Sequence, residues 1–214
     1  MRTEYSNWRK LDNAALAFPL VTGENDTRVF RFYCQLKEEV DSDILQQALG
    51  RTMEKYPLFQ AVLRKGLFWF YLEHSHIRAL VKPETEPPCS RLYIPDKKSL
   101  LFQVSYYKER INFEVFHALT DGTGAMHFLQ ELVQNYLILA HPKENFPEIG
   151  RDKKTGRGNI EEDSFSQYYS SDIPKNREKK KAAVKLKGEK LVHSDMHISE
   201  VVLSVKEVHQ KARS

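Results

Sequence analysis

"INFEVFHALTDGTGAMHFLQELVQNYL", residues 111–137, changes its periodicity partway along. In the first part, alternate residues are apolar and would share one face of a β-strand: Ile111, Phe113 and Val115. His117 continues that parity just past the end of the strand. From Thr123 onward apolar residues recur at helical spacing until Pro142: Phe128, Leu129, Leu132, Val133, Tyr136 and Leu137. The stretch therefore predicts a strand, a polar turn and an amphipathic helix, with His117 at the hinge.

Two interpretations of His117 follow from the residue types. A strand-to-helix turn favours an Asp as helix cap and a Gly with positive φ, so Asp121 and Gly122 fit a purely structural turn. In that case the histidine is a satisfied structural residue. Alternatively, an imidazole at a strand end faces a cleft, where a neutral ring nitrogen can take a proton from a bound hydroxyl. Residue types alone favour the structural interpretation.

The sequence before this stretch predicts further strands and one helix. VFRFYCQL (29–36) alternates like a strand, and 41–57 has a helical apolar face with Asp41 or Ser42 as its cap. Residues 59–75 read as two strands that turn near Lys65-Gly66, with aromatic residues buried on both faces. Residues 99–116 read as a second hairpin, whereas the prolines in 81–89 exclude regular structure. The pattern predicts a sheet covered by helices.

The segment 147–190 differs in composition from the rest of the chain. Residues 151–190 hold twelve Lys and Arg against seven Asp and Glu, which accounts for the whole net charge of +4. We expect a long basic excursion inside a first domain, 1–200. A strand over 197–205 and the start of a helix then follow, so we expect 201–214 to end a crossover strand and to begin a second lobe.

Composition excludes several classes of protein. The 214 residues are 41% hydrophobic, which is enough for a packed core. The two cysteines, Cys34 and Cys89, have no CxxC spacing and indicate a reducing, cytoplasmic setting. The N-terminus lacks the apolar core of a signal peptide, and no apolar run reaches the length of a membrane span, so we expect neither export nor a membrane span.

HALTDG, His117–Gly122, matches the HxxxDG motif of the CoA-dependent acyltransferase superfamily, which includes chloramphenicol acetyltransferase, condensation domains and plant acyltransferases. Together with LDNAALAFP, VFRFYCQL, ALGRTMEKYPLFQAVLRKGLFWFYLE and EVFHALTDGTGAMHFLQELV, the chain resembles bacterial alcohol acetyltransferase-like proteins over most of 11–139. The resemblance implies an α/β fold. It would be a two-layer sandwich in which a mixed, mostly antiparallel sheet is covered by helices, as in one chloramphenicol-acetyltransferase-like lobe.

The resemblance also implies a chemistry. His117 would be the general base that deprotonates an alcohol or amine acceptor while it attacks an acyl-CoA thioester, with acetyl or another short acyl group, no acyl-enzyme and no metal. General-base help of this kind is worth about 10²- to 10⁴-fold. Asp121 would support the loop through an ion pair, and Gly122 would leave room for the acceptor or the pantetheine arm. Many relatives have two consecutive histidines, but here Phe116 occupies the first position and the catalytic second one is kept.

The length of the chain departs from the two-lobe relatives, whose site lies in a tunnel between lobes. Either a second lobe is missing, or the chain resembles the trimeric single-lobe branch, with a second copy completing the site. In that branch the motif lies near the C-terminus, so the central position of His117 favours the two-lobe arrangement. A condensation-type transferase that uses a carrier-bound thioester, and a non-catalytic lobe that binds a partner, are the alternative hypotheses.

Several weaker signals are interpreted without a function. His193 and His197 have zinc-like spacing, but the expected glutamate is missing and a strand follows. His127 is expected to pack or to face solvent, and His74 and His76 to be exposed. The basic run over 177–190 has no interleaved aromatic residues, so no nucleic-acid partner is expected. Four aromatic residues could line an acyl pocket but more commonly fill a core: Trp8, Phe68, Trp69 and Phe70.

Overall fold

The computed structural model describes residues 8–11, 15–24, 26–67, 69–147 and 201–213. Within these ranges the strands are β1 (Trp8–Lys10), β2 (Val29–Gln35), β3 (Ala61–Lys65), β4 (Phe70–His74), β5 (Val81–Pro83), β6 (Phe102–Tyr107) and β7 (Arg110–Phe116). The helices are α1 (Ala17–Val21), α2 (Ser42–Lys55), α3 (Gly122–Ala140) and α4 (Val205–Ala212), and a 3₁₀ turn spans Pro57–Gln60.

The predicted hairpin β6–β7 lies at the centre of the larger sheet, whose strand order is β2-β7-β6-β5. β7 pairs antiparallel with β2 on one side and with β6 on the other, so it is an interior strand. Its three alternate apolar side chains, Ile111, Phe113 and Val115, are fully buried, as period two predicts. The hairpin turns at Lys108-Glu109, where Lys108 has a φ of 49°.

β5 corrects the expectation that the prolines exclude regular structure from 81–89. It pairs in parallel with β6, with Val81 opposite Val104 and Pro83 opposite Tyr106. Proline lacks a backbone N–H and is tolerated only where a strand does not need that donor, at an edge or an end. Pro83 satisfies both conditions, because it is the last residue of the outermost strand. The sheet is therefore mixed, with one parallel pair.

A second, smaller sheet has the order β1-β4-β3 and is antiparallel throughout. Its β3–β4 hairpin confirms the prediction for 59–75, but the expected burial on both faces is wrong at the turn. Leu67 and Trp69 are 91% and 49% exposed, whereas Phe70 is buried. Trp69 lies in the loop between the strands, where a side chain has no sheet face to cover it, whereas Phe70 is the first residue of β4.

The core lies between the larger sheet and the two long helices. The Phe128 ring of α3 stacks on Phe113 of β7 at 4.6 Å between centroids and on Phe59 at 4.4 Å. Burying each such ring contributes about 1.5–3 kcal/mol. α2 contributes Leu45, Ala48 and Leu49 to the same cluster. The two-layer α/β arrangement, with mostly antiparallel strands covered by helices, is confirmed, although the strands form two sheets.

Capping fixes where the long helices begin. Asp41 caps α2, because its Oδ1 accepts from the backbone N–H groups of Asp43 and Ile44 at 2.9 and 3.0 Å. The Tyr136 hydroxyl of α3 accepts from the Asp41 backbone N–H at 2.9 Å, which ties the two helices together. α3 ends at Ala140 with His141 as its C-cap, as Pro142 predicts.

The chain divides into two compact units, Met1–Ile173 and Pro174–Ser214. In the second unit, the described residues comprise 201–204, which have no strand pairing, and the helix α4. The strand expected over 197–205 is thus not seen in its described part, and the rest of it lies outside the described residues. None of the described helices is long and apolar enough to cross a bilayer.

Candidate active site

Hydrogen bonds hold the backbone around His117 to the residues just before β2 and β6 and to the end of β7. The His117 N–H donates to the carbonyl of Arg28 at 2.9 Å, just before β2. The Phe116 N–H donates to the carbonyl of Leu101 at 2.8 Å, and the Leu119 N–H closes a tight turn onto the Phe116 carbonyl at 2.9 Å. His117 therefore lies at the end of the sheet, directly after β7, on a rigid backbone.

Two aromatic rings fix the imidazole of His117. The Phe18 ring from α1 stacks on it with centroids 4.3 Å apart and an interplanar angle of 12°. The Phe30 ring from β2 lies at 5.0 Å and 58°. Phe30 is the register partner of Val115, so the contact shows that His117 continues the helix-facing side of β7, as the parity predicts. Phe18 had no sequence signal, because it comes from a different element.

The two ring nitrogens of His117 have different surroundings. Nδ1 is buried and has no hydrogen-bond partner within the described part of the chain. Nε2 is not among the buried atoms without a partner, and His117 as a whole is half-buried. In a neutral imidazole one nitrogen carries the proton and the other accepts. The two nitrogens therefore differ in their surroundings, on a ring that Phe18 and Phe30 contact.

Asp121 is the N-cap of α3, as the structural interpretation of the turn predicts. Its Oδ1 accepts from the Gly124 N–H at 2.8 Å, and its carbonyl accepts from the Ala125 N–H at 3.0 Å. No ion pair to Asp121 occurs among the described residues, so the support it gives to the turn here is a helix cap. The cap sets the direction in which the helix leaves the histidine.

Gly122 does not use the conformational freedom of glycine. None of the described glycines has a positive φ, so the expectation of a positive φ at Gly122 is wrong. Asp121 turns the chain with an extended backbone, at φ −84° and ψ −179°, and Gly122 then begins the helix. A Cβ on Gly122 would have only the tip of the Phe32 ring nearby, at 4.0 Å. Gly122 thus borders open space beside the turn.

Gly124 is a turn residue that sequence reasoning missed. A Cβ there would lie 2.1 Å from Oγ1 of Thr120 and 3.4 Å from the capping oxygen of Asp121. Any larger residue would force Thr120 to rotate and would crowd the cap. The GTG spacing after Asp121 is the signal that could have pointed to it.

The opposite face of β7 carries a network of ion pairs that the sequence did not reveal. The Arg31 guanidinium donates to Glu114 at 2.9–3.0 Å and to Glu84 at 2.5 Å, and Arg110 donates to Glu84 at 2.7 Å. Glu114 also accepts from the backbone N–H of Cys89 at 2.5 Å. This network, Arg31–Glu114–Glu84–Arg110, holds the segment after β5 against the sheet.

The ion pairs shift the pKa values of two members of the network, Glu84 and Arg31. Burial by itself would raise the pKa of the Glu84 carboxyl, but the hydrogen bonds from Arg31 and Arg110 outweigh it and lower that pKa. Burial would likewise lower the pKa of Arg31, and the bonds to Glu84 and Glu114 raise it instead. These shifts favour the charged forms of Glu84 and Arg31, so the network is a structural support for the sheet.

The other sequence candidates do not converge on His117. His74 and His76 are exposed, as expected, with ring centroids 5.5 Å apart, and His127 is half-buried on α3. Trp8 and Trp69 are 56% and 49% exposed and make no ring contact with His117 in the described region, and Phe68 lies outside the described residues. The rings beside the histidine are phenylalanines of α1 and β2.

The candidate metal ligands His193 and His197 also lie outside the described residues, as does the basic segment 151–190. The described residues contain no group of three or more His, Cys, Asp or Glu side chains placed to hold a metal ion. Both cysteines, half-buried, have free thiols.

No family model matches the sequence. No curated protein matches it either. Solved structures do match its fold. The starter condensation domain of rhizomide synthetase RzmA aligns with 77% of this chain and 45% of its own, at a TM-score of 0.55 and 12% identity.

A mutant of that RzmA domain in complex with C8-CoA aligns over 64% of this chain and 37% of its own, with a TM-score of 0.53 and 11% identity. The complex of the X-domain and OxyB from teicoplanin biosynthesis matches with a TM-score of 0.52 and 13% identity, over 68% and 36%. The chain spans less than half the length of each of these structures. What it shares with them is the fold of one condensation-domain-like lobe.

Proposed function

We propose that this chain is one lobe of an acyltransferase that moves an acyl group from a thioester to an alcohol, with His117 as the general base. The observation that carries the proposal is the imidazole itself. It lies at the end of an interior strand, its plane is fixed by Phe18, and its Nδ1 is buried, which leaves Nε2 as the nitrogen proposed to meet the acceptor. A fixed ring with one accessible nitrogen is what general-base catalysis needs from the enzyme.

The proposed reaction is a direct transfer. Nε2 of His117 takes the proton of the acceptor hydroxyl while that oxygen attacks the thioester carbonyl. The C–O bond forms, the C–S bond breaks, and the proton passes from the imidazole to the departing thiolate. An acyl-enzyme is not needed, because the acceptor itself is the nucleophile. An amine acceptor would react by the same route and form a C–N bond.

The donor is proposed to be acyl-CoA with an acetyl or another short acyl chain. The likeness to the RzmA domain supports a thioester donor, since one of its structures is a complex with C8-CoA. A condensation-type reaction with a carrier-bound thioester is the second candidate. It is favoured by the fact that the matched folds include starter condensation domains. The two candidates share His117 and differ in the donor.

The remaining groups of the site are proposed to come from a second lobe or a second copy of the chain. The structures with this fold are more than twice as long as the aligned part. Within this lobe the rings of Phe18 and Phe30 contact the imidazole, but a thioester also needs donors for the developing oxyanion. A partner surface on the open side of His117 would supply them.

Thiol release from acetyl-CoA and octanoyl-CoA against a panel of alcohols and amines tests the proposal. The assay uses this chain. We expect His117→Ala to lower turnover by about 10²- to 10⁴-fold. His127→Ala is the matched control, because His127 is a half-buried histidine on α3. Acyl transfer that survives in His117→Ala, or no transfer with any donor and acceptor, would overturn the proposal.

The same variants, supplied with a carrier-bound thioester, separate the two candidates. Turnover with free CoA thioesters supports the acyl-CoA enzyme, whereas turnover only with the carrier-bound donor supports the condensation-type reaction. Both outcomes require dependence on His117.

A further inference from the structure

A groove of about 550 Å³ lies between α2 and the segment that joins β4 to β5. It is lined by Gln46, Gln47, Leu49, Gly50 and Met53 of α2, by Gln60, and by residues 74–79. Neither His117 nor Asp121 lines it, so it is separate from the candidate active site. Its volume falls within the range of about 300–1,000 Å³ that small-molecule sites occupy.

Hydrogen bonds hold one wall of the groove in place. The Gln46 side chain donates to the Ala79 carbonyl at 3.1 Å and accepts from the Val81 N–H at 2.9 Å. The Gln60 side-chain amide donates to the Ile77 carbonyl at 2.5 Å, and the backbone carbonyl of Gln60 accepts from the Ser75 N–H at 2.7 Å. The segment is therefore pinned at both ends, and a ligand would meet a wall that is already formed.

The charge of the groove has one sign. His74, His76 and Arg78 occur at alternate positions along this wall, and all three are exposed. No Asp or Glu is among the lining residues that the structure describes. The adjacent Glu73 is paired with Arg64 at 3.1 Å on the β3–β4 hairpin. A guanidinium and two imidazoles without a carboxylate are complementary to an anion.

The groove also has apolar surface, supplied by Met53 of α2 and by Ile77 of the facing wall, which is 36% exposed; Leu49 also lines it but is only 1% exposed. A free inorganic ion would leave this surface unused. We propose that the groove binds a small organic anion, a phosphate or carboxylate with a short apolar chain. Arg78 and the histidines would hold the charged group, and the apolar residues would contact the chain.

Titrations of the ¹⁵N-labelled chain with a matched set of probes test the proposal. Hexyl phosphate and heptanoate carry both features, whereas hexanol and inorganic phosphate carry one each. We expect at least one alkyl anion to bind about tenfold tighter than both single-feature probes, with chemical-shift changes confined to the groove. Whichever of the two anions binds more tightly identifies the preferred charged group.

Arg78→Gln should weaken that binding by about tenfold or more, because a charge-assisted hydrogen bond is lost. Arg51→Gln, an exposed residue of α2 outside the lining, is the control and should bind as the parent does. A His74→Asn/His76→Asn double variant gives an independent second test with the same expected direction. Equal binding of hexanol, shift changes elsewhere, or no effect of Arg78→Gln and the double variant would overturn the proposal. None of these measurements depends on acyl transfer.

Discussion

The two faces of β7 differ in how they treat polar groups. Facing the helices, Phe113 and Val115 are fully buried among apolar side chains, and the row ends in His117, whose Nδ1 has no partner in the described structure. Facing away, Glu114 is equally buried, but its carboxylate is paired with Arg31. The pairing on that face is incomplete, because Nε of Arg110 and Oδ1 of Asn112 are also buried without a partner in the described structure.

The difference between the two faces lies in their charged groups. A buried charge is tolerated when it is paired and hydrogen-bonded, and the Arg31–Glu114–Glu84–Arg110 network meets that condition between its carboxylates and guanidiniums. Nδ1 of His117 has no partner among the described residues, but Nε of Arg110 and Oδ1 of Asn112 have none either, so an unpaired buried atom does not by itself mark a functional residue. His117, and not Glu114, is the proposed catalytic residue because the Glu114 carboxylate is already occupied by Arg31.

The largest effect on stability is expected when the Arg31–Glu114–Glu84–Arg110 network is broken. Glu114→Gln removes one charge of a buried network and should lower the free energy of unfolding by about 3 kcal/mol. Chemical denaturation monitored by circular dichroism measures it. The control is Glu73→Gln, which breaks the exposed pair with Arg64 and should cost less than about 1 kcal/mol. If both variants lost the same unfolding free energy, the buried network would stabilise the fold no more than the Glu73–Arg64 pair does.

The pH dependence of stability sharpens the same contrast. The pKa of Glu84 in the folded chain lies below its ordinary value of 4.5, so the folded state binds fewer protons than the unfolded state as pH falls below that value. The contribution of Glu84 is therefore complete above pH 4.5 and is lost as pH falls through the folded pKa. Unfolding free energies over pH 2.5–7 should decline less steeply in Glu84→Gln than in the parent; an unchanged decline contradicts the assignment.

A smaller effect on stability is expected at Asp121, the N-cap of α3. Asp121→Ala removes the cap of α3 and should lower the free energy of unfolding by about 1 kcal/mol, while Asp121→Asn should keep most of it. Thermal or denaturant unfolding of the two variants measures the difference. If Asp121→Asn lowers the free energy of unfolding as much as Asp121→Ala does, the carboxylate charge of Asp121 matters in a way the cap does not explain.

The smallest effect on stability is expected at Gly122. Because open space surrounds the position of its Cβ, Gly122→Ala should change the free energy of unfolding by less than about 0.5 kcal/mol. If the space holds part of the substrate, thiol release by the acyltransferase should fall while stability is kept. A loss of more than about 1 kcal/mol would show that the space beside the turn is already filled.

Local rules predicted much of the structure around the site. The β6–β7 hairpin, the buried parity of Ile111, Phe113 and Val115, and the ends of α3 all follow from residues close together in sequence. The same rules erred where the outcome depended on position in the sheet. Pro83 lies in a strand because that strand is at an edge, and Trp69 is exposed because it lies in a loop.

By itself, the sequence determined that His117 ends a strand on its apolar face and that Asp121 begins a helix, because periodicity and capping act within a few residues. Only the tertiary structure decided what surrounds them. Phe18 reaches the imidazole from α1, and Arg31 meets Glu84 and Glu114 across 53 and 83 residues of chain. Such partners depend on how separate elements pack together. The period of two in a strand predicts which face a side chain lies on, but it does not predict which element packs against that face.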